Sequence, residues 1–239
     1  MVAFSGADPI GVLIGAKRPS ATLIHRIAVH PDHVRQGHGR HMLASLSSKL
    51  AILGPPRLIA EVPEALPAGA ALFAAAGYVP EAVLTDYLWQ VDTRAANEAG
   101  EVAGGFVIPV TVDDLAANGL LGDPTSPLAS SGQGHPPTCW ERSVETLTAR
   151  KDEITGLAVA SDERLEAYIL YIEPGEIVLL RCSIEDGGAR LRLLLSRLGG
   201  GTFRFPKVHP TEVSAESLET LGFRPAGGHV LYAARARSA

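Results

Sequence analysis

The amino-acid sequence predicts an α/β (α+β) protein built from two lobes. Two observations predict this class. Apolar residues switch repeatedly between the two-residue period of strands and the three- to four-residue period of helices. One stretch, Asp92–Gly105, loses all apolar period and fills with small and polar residues. At 239 residues the chain suits two domains of about 100–150 residues. We therefore expect lobes at 1–92 and 106–239, joined by a linker at 93–105.

In the first lobe, a change of period marks the passage from strands to a helix. Gly11–Ala16 and Thr22–Val29 are β-rich runs separated by a turn-like tetrad. After Gly39, apolar residues recur at helical steps and predict an amphipathic helix that ends at Gly54. The remaining elements predicted here are a strand at Leu58–Val62, a helix at Ala68–Ala76 and a strand at Val83–Val91.

The second lobe repeats this alternation. After a strand at Phe106–Val110, the sequence predicts a helix near 113–121 and a Gly/Pro/Ser-rich loop at 122–137. The elements that follow are a helix through Trp140, Val144 and Leu147, strands at 156–160, 165–172 and 177–182, a Leu-rich helix at 191–198, a strand at 202–208, a helix at 215–221 and a last strand at 229–234.

An internal echo connects the two lobes. Gly77-Tyr78 ends one helix, and Gly222-Phe223 ends another about one domain length later. Each glycine suits a left-handed helix C-cap, and the aromatic residue after it can pack back on the helix. We interpret the echo as a degenerate repeat.

The strongest local signal is a strand that runs into a Gly-x-Gly turn and then directly into a helix, at 27–43. Gly37 and Gly39 lack Cβ atoms, which lets the backbone curl around a ligand. The first N–H groups of a helix have no intrahelical partner and lie at the positive end of its dipole, which suits a pyrophosphate. Arg35 and Arg40 add positive charge, and two histidines add hydrogen-bonding groups. The alternative is a tight turn with exposed basic residues.

This stretch, V-x-P-x-x-x-x-x-G-x-G-x-x-[LM]-[LM], resembles the coenzyme A-binding motif of the GNAT superfamily of N-acetyltransferases. The family signature is [QR]-x-x-G-x-[GA] after a strand ending in V-x-P. The resemblance covers about 11–91. It implies lobes that each hold a mixed, mostly antiparallel sheet flanked by helices, and acetyl-CoA as co-substrate. It also implies a pantetheine site along the backbone of Ile27, Ala28 and Val29 and a phosphate cradle formed by Arg35, Gln36, Gly37, His38, Gly39 and Arg40.

Transfer of an acetyl group to an amine requires a base near neutrality, a donor to the carbonyl oxygen and a proton for the leaving thiolate. His25 is the first candidate for the base, because histidine titrates in the useful range, and the alternative is a surface or packing histidine. Glu61 is a second candidate, acting through water, or else a solvated acid at a strand edge. Tyr87 is a candidate proton donor to the thiolate, or else a packing residue. The resemblance places the Val29 N–H at the carbonyl oxygen.

Three departures from the family pattern favour a second hypothesis. Val34 stands where the signature has Gln or Arg. Leu66 and Phe73 stand roughly where the family carries an Asn and a proton-donating Tyr. The family's first strand and two following helices find no room before Gly11. The alternative functions are a non-catalytic acyl-CoA-binding pseudoenzyme and a structural or interaction module.

The corresponding turn of the second lobe, Cys182–Arg190, places Glu185 and Asp186 where phosphates would lie. Carboxylates suit a helix start but repel a pyrophosphate. We expect this lobe to be GNAT-like without a coenzyme, and to supply the acceptor wall that the first lobe lacks or to support a homodimer.

The composition and charge of the chain limit the classes of molecule that it is expected to bind. A net charge of −5 argues against nucleic acid, and no apolar run reaches the ~18 residues that span a bilayer. The first residues lack the pattern of a secretory signal, so a cytoplasmic location without membrane contact is expected. Cys139 and Cys182 form no C-x-x-C pattern, and buried or idle thiols are expected rather than a disulfide. His135 has no partner at metal-ligand spacing, so no metal is expected. The expected acceptor is a small-molecule or peptide amine.

Overall fold

A computed structural model of the chain describes residues 1–90, 105–121 and 139–237. The predicted loop at 122–137 and nearly all of the predicted linker lie outside these ranges. The strands are β1 (Val2–Ser5), β2 (Asp8–Lys17), β3 (Thr22–Val29), β4 (Arg57–Pro63), β5 (Val79–Gln90), β6 (Phe106–Val110), β7 (Thr155–Ala160), β8 (Leu165–Ile172), β9 (Glu176–Cys182), β10 (Thr202–Val208) and β11 (Arg224–Arg235). The helices are α1 (His38–Leu53), α2 (Pro67–Ala75), α3 (Val112–Ala117), α4 (Val144–Ala149), α5 (Ala189–Ser196) and α6 (Ala215–Thr220).

The chain forms two compact units that do not follow chain order. The first unit comprises Met1–Val83 and Gly228–Ala239, and the second comprises Leu84–Gly227. The C-terminal part of β5, from Leu84 onward, therefore belongs to the second unit. The C-terminal part of β11, from Gly228 onward, belongs to the first. The units are not consecutive stretches of the chain, because strand pairing and not sequence proximity decides which residues are in contact.

In the first unit the strand order is β1-β2-β3-β4-β11. The β3–β4 pair is parallel, and the β1–β2, β2–β3 and β4–β11 pairs are antiparallel. Helices α1 and α2 cover one face of this sheet, because their apolar side chains pack with those of β2, β3 and β4 in one cluster. Its buried members include Leu13, Met42, Leu43, Leu58 and Phe73.

In the second unit the order is β5-β10-β9-β8-β7-β6, and β9–β10 is the parallel pair. The Leu-rich helix α5 packs on one face of the sheet with Phe205, Phe223 and Ile169. A second cluster, which includes Leu115 of α3 and Leu147 of α4, covers residues of β7, β8 and β9. The structure confirms the predicted fold class, in which mostly antiparallel sheets are flanked by helices.

Most predicted elements appear with shifts of a few residues at their ends. The helix predicted after Gly39 begins at His38 and ends at Leu53, next to Gly54 in a positive-φ conformation. Strand β1 is an addition, because its four residues carry too little pattern to predict a strand.

The sequence pattern that occurs in both lobes corresponds to a helix ending of the same geometry. Gly77 and Gly222 are both left-handed, with φ of 83° and 88°. The N–H of the aromatic residue that follows returns to the last helical turn, from Tyr78 to the Phe73 carbonyl at 3.0 Å and from Phe223 to the Leu218 carbonyl at 2.9 Å. Both glycines therefore act as the predicted C-caps.

The outer strands of the first unit expose apolar side chains. Val2 and Val12 pair across β1 and β2 and are 48% and 37% exposed, and Ile14 is 48% exposed. Leu13, between Val12 and Ile14, points into the core, so the exposed side chains share the opposite face of β2.

Among the described residues, no helix has both the length and the apolar character needed to span a membrane.

Candidate functional site

The loop after β3 is shaped by two residues in the left-handed conformation. From Val29 the chain passes through a 3₁₀ turn at Pro31–His33, in which the His30 side chain accepts a hydrogen bond from the Asp32 N–H at 3.3 Å. Arg35 (φ 64°) and Gly37 (φ 88°) then turn the chain into α1. A left-handed arginine is strained, and strain of this kind is concentrated at ligand sites.

Among the described residues, no internal partner is found for the N–H groups at the N-terminus of α1. Gly37 is the N-cap, no side chain caps the helix and no acidic residue lies in its first turn. The first hydrogen bond of the helix runs from the His41 N–H to the Gly37 carbonyl at 2.9 Å, which leaves the N–H groups of the three residues before His41 to an external acceptor. Arg35 and Arg40 are exposed beside this end. The arrangement is suited to an anion.

The two glycines of the loop have different roles. A Cβ on Gly37 would meet no atom within 4 Å, so this glycine is required by its backbone angle. A Cβ on Gly39 would lie 3.1 Å from a methyl carbon of Leu72, so Gly39 lets α1 approach α2 closely. The prediction that both glycines make room for a ligand is therefore incomplete, since Gly39 is buried against α2.

Beside the loop, the sheet of the first unit opens between β3 and β4. The two strands pair only at Thr22–Leu58 and Leu23–Ile59, after which they separate. The His30 N–H bonds to the Ile10 carbonyl on β2 at 2.7 Å. Because N–H groups alternate along a strand, those of Ile27 and Val29 face the gap between β3 and β4. The strand predicted to contact pantetheine therefore presents these backbone groups to the groove between β3 and β4, where no strand pairs with them among the described residues.

A β-bulge marks the point where the strands separate. On β2, Ile14 and Gly15 are consecutive, whereas their partners on β3 are Arg26 and Ile24. His25 is the extra residue, and it is exposed. Bulges bend a strand and redirect side chains, and they are frequent next to active sites.

The three candidate catalytic residues do not lie in one unit. His25 and Glu61 are both in the first unit. Glu61 alternates with Ala60 and Val62, which belong to the core on the helix side, so its half-buried side chain lies on the opposite face of β4. Tyr87 is in the second unit, opposite Phe205 and 5% exposed. Burial raises the pKa of Tyr87, the charge of Glu219 raises it further, and a hydrogen bond with Thr85 opposes both.

Phe73, which stands roughly where the resemblance calls for a proton donor, is part of an aromatic cluster. Its ring stacks on Tyr232 at 6.1 Å and meets the edge of Tyr78 at 5.2 Å. Within the part of the chain that the structure describes, the buried Tyr78 hydroxyl has no hydrogen-bond partner, and burial raises the pKa of Tyr78 strongly. The sequence did not indicate this cluster, because its members come from α2, from the residue just before β5 and from β11.

Within the ranges that the structure covers, no three His, Cys, Asp or Glu side chains are grouped to hold a metal ion. His30, His33 and His38 form a row of edge-on ring contacts at 5.9 and 6.0 Å beside the loop.

Three comparisons show which known proteins the chain resembles in sequence and in fold. A model of the acetyltransferase (GNAT) family matches residues 1–78. A search of curated protein sequences found no match. Among solved structures, a tandem GNAT protein from the clavulanic acid biosynthesis pathway is 19% identical with a TM-score of 0.62, and the alignment covers 100% of this chain and 82% of that one.

Two further structures are similar in the same way. A GCN5-related N-acetyltransferase from Sphaerobacter thermophilus is 14% identical with a TM-score of 0.61, over 97% of this chain and 78% of that one. A putative acetyltransferase from Pyrococcus horikoshii is 13% identical with a TM-score of 0.56, over 99% and 73%. At these identities the likeness is one of fold, and it extends over both units.

Proposed function

We propose that this chain, whose residues 1–78 match a model of the acetyltransferase (GNAT) family, is an acetyl-CoA-dependent N-acetyltransferase. The observation that carries the proposal is the open N-terminus of α1, where unpartnered N–H groups lie beside Arg35 and Arg40. The groove between β3 and β4 supports it, because it begins beside the same loop and presents the backbone of Ile27 and Val29.

In this proposal the loop 35–40 holds the pyrophosphate of acetyl-CoA, and the backbone of Ile27–Val29 holds the pantetheine. The coenzyme supplies an acetyl group as a thioester. The backbone N–H groups hold the phosphates without moving, because a helix end is already oriented for an anion. The Val29 N–H faces the groove, which supports a role in stabilising negative charge on the carbonyl oxygen.

His25 is proposed to accept the proton that the amine loses as its nitrogen bonds to the acetyl carbon and the carbon–sulfur bond breaks. Its exposure at the bulge beside the groove supports this role. Glu61, on the face of β4 opposite the core, is the proposed alternative base through a water molecule. The burial of Tyr87 in the core of the second unit supports packing as its role.

A non-catalytic acyl-CoA binder is the second candidate. It is favoured by Phe73, which offers no proton to a leaving thiolate and is held in the aromatic cluster with Tyr78 and Tyr232. A third reading, a structural module, predicts that acetyl-CoA does not bind at all.

Two measurements separate these functions. Acetyl-CoA at a hundred times its Kd stabilises a protein that binds it by about 2.7 kcal/mol, so a thermal-shift series that shows no change at millimolar ligand contradicts both acyl-CoA functions. Release of free thiol in the presence of a panel of small and peptide amines then distinguishes the transferase from the binder. Binding without thiol release for any amine supports the binder.

The role of His25 is tested in the active chain. His25→Ala is expected to lower kcat about 10²- to 10⁴-fold, the usual contribution of a general base. His25→Gln, which retains a polar side chain, is expected to be equally slow, because an amide does not act as a base. Unchanged turnover in His25→Ala would instead favour Glu61 as the base.

A further inference from the structure

The second unit contains a helix that starts in the same way as α1. Its helix α5 follows Gly188, an N-cap with φ 83° and ψ 15°, and α1 follows Gly37, with φ 88° and ψ −3°. Each helix comes after a strand that is parallel to its neighbour in the sheet, β9 in the second unit and β3 in the first. The backbone therefore forms a helix N-terminus of this shape, which we call an anion cradle, once in each unit.

In the second unit this cradle is occupied by a side chain of the protein itself. Asp186 accepts hydrogen bonds from the backbone N–H groups of Gly188 at 2.9 Å, Ala189 at 3.0 Å and Arg190 at 3.0 Å. The Arg190 guanidinium also bonds to Asp186, at 2.8 Å, and to Glu166, at 2.7 Å. The carboxylate thus satisfies the helix N-terminus and is itself neutralised by an arginine, as a bound phosphate would be.

The residue two positions before the cap distinguishes the two cradles. It is Asp186 in the second unit and Arg35 in the first. Burial raises the pKa of Asp186, but hydrogen bonds from Arg190 and from the backbone outweigh it and hold the pKa below its usual range. The carboxylate is therefore charged near neutral pH, and a pyrophosphate would have to displace a fixed negative charge with Glu166 beside it.

The groove next to this cradle is also filled. Strands β9 and β10 pair at Glu176–Arg204 and then separate, as β3 and β4 do in the first unit. Arg142 spans the opening, since its guanidinium donates to the Pro206 carbonyl on β10 at 2.7 Å and to the Val178 carbonyl on β9 at 3.5 Å. Both carboxylate oxygens of Glu212 accept a hydrogen bond from the Arg142 Nε, and the two side chains are each 2% exposed.

We infer that the second unit is closed to coenzyme by its own charged side chains, with Asp186 in place of the pyrophosphate and Arg142 in place of the pantetheine. The chain then takes up one coenzyme, in the first unit. This stoichiometry rests on the proposed function, whereas the closure of the second unit rests on the contacts of Asp186 and Arg142 alone.

Two measurements on the full chain test the inference. The first is amide hydrogen exchange without ligand. The N–H groups of 188–190 are expected to exchange slowly and those of 38–40 rapidly, because only the first set has an internal acceptor. Asp186→Ala is expected to remove the protection at 188–190, and Asp32→Ala, which removes an exposed carboxylate, is expected to leave it in place. Equally fast exchange at both sets in the native chain would overturn the inference.

The second measurement is calorimetric titration with acetyl-CoA. One equivalent is expected to bind, and Asp186→Asn and Arg142→Met are expected to lower thermal stability without changing the stoichiometry or the Kd. Two equivalents in the native chain would overturn the inference. Zero equivalents together with protected amides at 188–190 would support closure of the second unit and contradict the proposed function of the first.

Discussion

Arg142 and Glu212 form an ion pair that is almost completely removed from solvent, with the arginine Nε 3.1 and 3.0 Å from the two carboxylate oxygens. The Glu212 carboxylate also accepts the His209 N–H at 3.1 Å, and the Arg142 guanidinium lies over the ring of Phe205. The pair joins the segment before α4 to the chain that follows β10, which makes it a central contact of the second unit.

Glu212→Gln is expected to destabilise the second unit by about 3–5 kcal/mol, because it leaves a buried guanidinium without its counter-charge. Urea unfolding followed by the fluorescence of Trp89 and Trp140, which both lie in this unit, measures the loss. Glu153→Gln is the matched control, since the Arg150–Glu153 pair is exposed and such pairs contribute about 0–1 kcal/mol. Equal effects of the two substitutions would contradict the importance given to burial.

Gly39→Val is expected to destabilise the first unit by about 1–3 kcal/mol through overpacking against Leu72. A double-mutant cycle with Leu72→Ala isolates this contact, because removal of the leucine methyl groups makes room for the added side chain. Circular dichroism in urea is a suitable probe. If Gly39→Val costs as much in the Leu72→Ala background as in the native chain, then the glycine has another role.

Arg40→Gln and Arg35→Asp are expected to weaken acetyl-CoA binding. The effect of Arg35→Asp is expected to be stronger, because it introduces a carboxylate at the position that corresponds to Asp186 of the second unit. Loss of one phosphate contact is expected to cost about 1.5–3 kcal/mol, the range for hydrogen bonds to charged groups, which is roughly ten- to a hundred-fold in Kd. Lys49→Gln removes one positive charge, as Arg40→Gln does, from an exposed position about three turns along α1. Titration at fixed ionic strength should show little change for this control, and a similar loss in all three would indicate only a general effect of net charge.

Asp186→Asn is expected to cost the most stability near neutral pH and progressively less in acid. The folded pKa of Asp186 lies below its usual range, so its contribution is fully present above the unfolded pKa of about 3.9 and is lost as the pH falls through the folded pKa. Unfolding measured from pH 7 to pH 3 in the native chain and the variant gives the difference directly. A difference that grows in acid would contradict the assigned direction of the pKa.

Part of this structure could be predicted from local sequence because it is locally determined. The start and end of α1, the left-handed caps at Gly77 and Gly222 and the basic loop depend on residues within a few positions of one another. Helical period, glycine conformations and unpaired N–H groups at a helix start are properties of such short segments. The cradle at 35–40 was predicted for this reason.

The sequence pattern did not indicate features that depend on long-range pairing. The bulge at His25 follows from the register of β2 against β3, and the groove at Ile27–Val29 from the short pairing of β3 with β4. Tyr87 was considered with the first-lobe candidates because its strand follows the second helix, near where acceptors bind in the family that the chain resembles, yet it lies opposite Phe205 in the second unit. Nothing in its neighbouring residues distinguishes these two environments.

By itself, the sequence determined the class of the fold, the positions of most helices and strands, and a helix N-terminus ready for an anion. Tertiary structure decided which strands share a sheet, that Gly39 faces Leu72, and that Asp186 and Arg142 close the second unit. The physical reason is how far apart in the chain the interacting residues lie. A helix start is built by hydrogen bonds a few residues apart, whereas a strand partner or a buried ion pair such as Arg142–Glu212 joins residues 70 positions apart in the chain, and no local pattern records their meeting.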